Sequence, residues 1–276
     1  VATLVQIPQS DTVKNRPLSN GFSSASPNVL VATVLKNKFS TTTKFSVQNA
    51  SSGAIDITVT FYDADTPSNP AIPVNATNIP AGGSKSFDLG SMGQLPGTFN
   101  GSATVTAVAA GTSTPANIVA SALELSTNGE AARAFEGVNG GAKTVYMPSA
   151  LCNAFNATSV YAVQNAGTAP TSVTVNYSSG QSDTRSINAG QKESFNACKD
   201  KGGAAMNSDG FNGSATIVST VSDIVVIGKV GGGGRSTAFL GETAGSAKLA
   251  LPYIRWTRDV NFNAGTRQRS FIAVQN

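Results

Sequence analysis

The chain has 276 residues, long enough for about two domains with hydrophobic cores of their own. Hydrophobic residues make up 40% and charged residues only 12%, a low charged share, and the net charge is +4. There is no histidine, which excludes Ser-His and Cys-His nucleophile pairs and imidazole metal ligands; no apolar stretch reaches the length of a membrane-spanning helix, and no basic run interleaved with aromatics marks a nucleic-acid partner.

Ser, Thr, Asn, Gly and Ala replace the missing charge, the style of an extracellular or cell-surface protein built from strands and turns. Residues 1–50 hold five cations against Asp11, residues 250–276 hold Arg255, Arg258, Arg267 and Arg269 against Asp259, and residues 51–249 hold 10 basic and 13 acidic groups. Basic ends and a mildly acidic middle suit end-to-middle contacts between copies, with plain solvation as the alternative. The start at Val1, without an initiator Met, is that expected of a processed protein.

Residues 1–28 form an N-terminal extension. Its first stretch, Val1 to Pro8, is a candidate pairing strand through Leu4, Val5 and Ile7. Two repeats follow, over 29–142 and 143–247. At an offset of 116, Leu35, Asn37, Phe39 and Thr42 match Leu151, Asn153, Phe155 and Thr158, and Phe45, Val47, Gln48 and Asn49 match Tyr161, Val163, Gln164 and Asn165. A period this long means duplication of a whole domain. Ile55 to Tyr62 and Ser172 to Tyr177 alternate apolar and polar residues, as half-buried strands do. Ile79 to Leu89 and Ile187 to Phe195 read as short strands about an Ala-Gly turn. Phe99-Asn100-Gly101-Ser102-Ala103-Thr104 and Phe211-Asn212-Gly213-Ser214-Ala215-Thr216 read as a turn leading into a central strand. Ile118 to Leu125 and Ile224 to Val230 close the repeats with Ala131 to Gly137 and Arg235 to Gly241. About seven strands per repeat, without helical periodicity, predict an all-β chain of two tandem immunoglobulin-like β-sandwich domains with strand-like terminal extensions.

Residues 248–276 look like the start of a third module. Its donor strand, 267–276, ends in Phe271-Ile272-Ala273-Val274-Gln275-Asn276, a third version of the VQN strand, and a strand with an unpaired edge is a template for pairing. Arg255, Trp256 and Arg258 mark a loop that could seat a partner, with burial under the loop as the other reading.

Cys152 and Cys198 are the only cysteines and suggest one disulfide, two separate buried thiols being the alternative. Asp63 and Asp65 fit turn chemistry better than catalysis or calcium binding. Gly231 to Gly234 beside Lys229 lacks the Lys-Ser/Thr and helix of a phosphate loop. Sequons at Asn49, Asn75, Asn100, Asn156, Asn176 and Asn212 permit glycan attachment. The chain is expected to be no enzyme and to take no catalytic, metal or other cofactor.

The pairs TVYMP then YAVQN, and LALP then FIAVQN, resemble the tandem β-sandwich repeats of bacterial cell-surface proteins, although the first copy has Ala32 where the others carry Pro148 and Pro252. A terminal strand of this kind is also similar in logic to donor-strand filaments. These resemblances imply scaffolding: a subunit of an extracellular filament or surface fibre, polymerising with identical subunits head to tail by exchange of terminal strands. The alternative they leave is an adhesin or carbohydrate-binding fragment of a longer multi-module surface protein.

Overall fold

The computed structural model describes residues 3–5, 17–127, 131–232, 235–251 and 272–276. A short antiparallel pair comes first, β1 (Thr3–Val5) with β2 (Leu18–Asn20). Eight strands follow: β3 (Asn28–Lys36), β4 (Thr41–Asn49), β5 (Ile55–Asp63), β6 (Ile72–Ile79), β7 (Ser84–Asp88), β8 (Phe99–Ala109), β9 (Ile118–Ser126) and β10 (Ala132–Glu136). The next eight are β11 (Thr144–Cys152), β12 (Thr158–Asn165), β13 (Thr171–Tyr177), β14 (Ser182–Ile187), β15 (Lys192–Asn196), β16 (Phe211–Ser219), β17 (Ile224–Gly232) and β18 (Arg235–Leu240).

Each set of eight makes a sandwich of two antiparallel four-stranded sheets. Module 1 packs β3-β8-β5-β6 on β10-β9-β4-β7, and module 2 packs β11-β16-β13-β14 on β18-β17-β12-β15. The two orders are the same when each strand is replaced by its repeat. Even an irregularity is copied: the β3–β8 register shifts between Val31 and Val34, and the β11–β16 register shifts between Met147 and Ala150.

Period-two alternation explains the cores. In β5 every second residue from Ile55 to Phe61 is buried, and in β13 Val173, Val175 and Tyr177 take the same places. Phe45 stacks on Phe87 of the neighbouring strand in module 1, while Tyr161 and Tyr177 stack across the two sheets of module 2. Cys152 at the end of β11 and Cys198 after β15 form a disulfide, with Cα atoms 4.9 Å apart, which links the two sheets of module 2.

The modules have eight strands where sequence pattern marks about seven. The strand that pattern underestimates is β6, an edge strand carrying Pro73 and alternating only weakly in burial. Proline is tolerated there because an edge has one unused side. The Asn-Gly pairs are not turns either. Asn100 and Gly101 lie inside β8, where the Asn100 amide donates to Asp65 Oδ1 and a Cβ on Gly101 would strike the Tyr62 carbonyl.

Candidate functional site

The two modules share a face. Four successive residues of β17, Ile224 to Ile227, are buried on alternating sides: Ile224 and Val226 enter the module 2 core, and Val225 and Ile227 join the module 1 core. A strand covered on both faces is continuously apolar, and here the second cover is the neighbouring module. Ala166, Ala238 and Leu240 pack against the same module 1 core.

Lys192 and Lys229 lie on this outer face of β15 and β17. The Lys229 ammonium sits 2.6 Å from Glu124 Oε1 of β9 and donates to Thr33 Oγ1 of β3 at 2.8 Å. Lys192 reaches the same Thr33 hydroxyl at 3.4 Å, and Arg133 of β10 approaches the other Glu124 oxygen at 3.6 Å. Glu124 and Lys192 are buried, and Lys229 and Arg133, partly open to the cleft, both pair with the Glu124 carboxylate. Burial first, and then the Lys229 ammonium, push Lys192 down to a pKa of about 7; burial also lowers Lys229, against the pull of Glu124. The cluster opens into an intermodule cleft of about 710 Å³, lined by Phe39, Arg133, Lys192, Asn196 and Lys229 among others.

A second group of contacts fixes register between the modules. The Gln164 side-chain amide donates to the Ala103 carbonyl of β8 at 3.3 Å and to the Gly190 carbonyl at 3.0 Å. Ser102 Oγ donates to that same Gly190 carbonyl at 2.7 Å, and Gln191 donates to the Pro67 carbonyl. Gly190 has a φ of +74°, and a Cβ there would lie 2.4 Å from the Tyr62 ring, so conformation and space both require glycine.

The asparagine that ends the first and second VQN strands is a buried clamp. Asn49 donates to the carbonyls of Gly53 and Ile79 and accepts from the Ser51 amide. Asn165 does the same with Ala169, Ile187 and Gly167. The motif therefore closes the following hairpin and ties it to the opposite sheet.

Ile272, Ala273, Val274, Gln275 and Asn276 form no ladder among the described residues. Ile272 is 53% and Val274 73% exposed, whereas Phe45, Val47, Tyr161 and Val163 at the matching positions are at most 2% exposed. Gln275 is the exception, donating to the Ala215 carbonyl at 3.3 Å and to Thr216 Oγ1 at 3.0 Å. Leu4 and Val5 lie in β1, paired with Ser19 and Leu18 of the same chain. Ile7, Arg255, Trp256, Arg258 and Phe271 lie outside the described residues.

Asp63 accepts from the Asp65 amide and the Thr66 hydroxyl, while Asp65 pairs with Lys38 at 2.7 Å; both carboxylates hold a loop. Of the sequon asparagines, Asn49 and Asn100 are buried in the folded chain. Among the described residues no three His, Cys, Asp or Glu side chains gather as a metal site requires, and no helix is long and apolar enough to cross a membrane. Sequence pattern does not single out Thr33, Glu124, Arg133 or Lys192, and it marks Lys229 only as the neighbour of a glycine run; the one signal that bears on the interface is the uninterrupted apolar run from Ile224 to Ile227. No protein family matches the chain, and no curated protein matches it significantly.

Proposed function

We propose that the protein is a structural subunit of an extracellular filament or surface fibre, in which sandwich modules stack on one another and Ile272–Asn276 receives its sheet by β-pairing from outside the described residues. The observation that carries this reading is the exposure of Ile272 and Val274, in a segment whose two counterparts are central strands with buried side chains. In the fibre the receiving sheet belongs to the next copy. Such a contact joins different surfaces of the two copies, does not close on itself and propagates head to tail. The register-fixing interface between modules suits a load-bearing role, and the sparse surface charge and the disulfide suit an extracellular or cell-surface setting. Deletion of residues 267–276 is expected to leave soluble monomers by sedimentation and electron microscopy. Fibres of unchanged length after that deletion contradict the proposal.

A second reading, a longer multi-module surface protein or adhesin, is favoured by the contact of Gln275 with module 2, which seats the strand as the opening of another module. The mass of the polypeptide isolated from its source separates the two. A chain of about this length supports the homopolymer, and a longer one the multi-module protein.

A further inference from the structure

We infer that module 2 carries, on the outer face of β11 and β16, a docking surface for a sandwich module of the next copy, seated as module 2 is seated on module 1 and hydrogen-bonded along a strand to Ile272–Asn276. The inference deepens the proposed function and rests on it only for the strand's need of a sheet.

Gln164 of the second VQN strand holds the Ala103 carbonyl in β8 at 3.3 Å. Gln275 of the third holds the Ala215 carbonyl in β16 at 3.3 Å, and Ala215 is the repeat of Ala103 in the duplicated Phe-Asn-Gly-Ser-Ala stretch. The same side chain of the same motif thus meets the same atom of the underlying module, one module further along.

The surface around that contact repeats as well, with one difference. In module 1, Thr33 and Ser102 are wholly buried against Lys192, Lys229 and Gly190 of module 2, and Ala32 and Asn100 beside them are buried as well. Their counterparts Pro148, Ser149 and Ser214 are half-buried and Asn212 is exposed. The turn beside this face is copied down to its backbone: Asn37, Phe39 and Ser40 have positive φ, as do Asn153, Phe155 and Asn156. Phe39 borders the cleft between modules 1 and 2, and it and Phe155 at the equivalent place are about equally exposed, at 72% and 70%, so the turn is matched in shape and is not itself covered by the interface. Module 2 therefore presents the receiving half of an interface whose complete form is seen one module earlier, already holding one hydrogen bond of it.

The test is cysteine accessibility in the full chain. Asn212→Cys and Ser214→Cys are introduced singly, with Ser102→Cys as the covered reference, and each protein is treated with a maleimide both as isolated chains and as native assembled material. The inference expects the two module 2 cysteines to label freely in isolated chains and about ten-fold or more slowly in the assembled material, as for groups reached only through local opening. Ser102→Cys should be protected in both. Equal labelling of Asn212→Cys in both forms overturns the inference even if deletion of residues 267–276 abolishes fibres, so the two failures are distinct. As a second measurement, Ser214→Arg should leave the melting temperature of the isolated chain unchanged and prevent assembly. Assembly unaffected by that arginine also overturns it.

Discussion

Single residues divide the energetics of this molecule into clamps and charges. Asn49 and Asn165 each satisfy two carbonyls and one amide in a buried site, so alanine at either position leaves several backbone groups without a partner. We expect Asn165→Ala to lower stability by about 1–3 kcal/mol in urea unfolding. Glu124 is the carboxylate that Lys229 and Arg133 pair with, and its loss leaves both without that partner at the interface. Glu124→Gln should cost about 3–5 kcal/mol, the range for breaking a buried ion pair, with calorimetry as the check. Lys192 adds a pH dependence of definite sign. Its folded pKa of about 7 lies below the ordinary 10.5, so between these values the unfolded chain holds a proton that the folded chain has released. Stability therefore rises as pH increases above 7, and below 7 the cost of burying the charge is fully present. Lys229, lowered too, acts in the same direction; Tyr161 and Tyr177, raised by burial, oppose it once pH passes their ordinary value of 10.0. Urea midpoints measured from pH 7 to 9.5 should climb, and Lys192→Met should flatten the climb.

At the level of strands and turns, the same position can face water in one repeat and protein in the other. On the outer face of module 1, Ser46, Gln48, Ser84 and Ser121 stand where module 2 has Ala162, Gln164, Lys192 and Ile227. Gln48 is exposed and Gln164 fully buried, although both belong to a VQN strand. This shows how far the sequence is legible. The all-β class, the duplication and most strands follow from alternation and from matched motifs, because those patterns report a face buried inside one module. The interface does not follow, because Gln164 and Lys192 read locally as solvent-facing polar residues, and only the partner surface makes them buried. The run from Ile224 to Ile227 is the exception: it breaks the alternation seen in β9 and so signals a second covered face. Turns show the same contrast. Gly82 and Gly190 share a positive φ, but a Cβ meets nothing at Gly82 and strikes Tyr62 at Gly190. Gly190→Ala should lower the melting temperature more than Gly82→Ala, the difference reporting the module contact alone.

For the whole molecule, modules 1 and 2 behave as neighbours in a stack whose stability is shared between module interiors and the interface between them. Module 2 offers a receiving face already touched by Gln275. Fibre growth then depends on giving Ile272 and Val274 the cover that Tyr161 and Val163 have inside module 2. Near-atomic electron microscopy of the native material tests this most directly. The account predicts Ile272–Asn276 hydrogen-bonded as a strand to a sandwich of the next copy lying on β11 and β16, with Ile272 and Val274 buried; unassembled single chains with that segment unpaired and the β11–β16 face bare would contradict it.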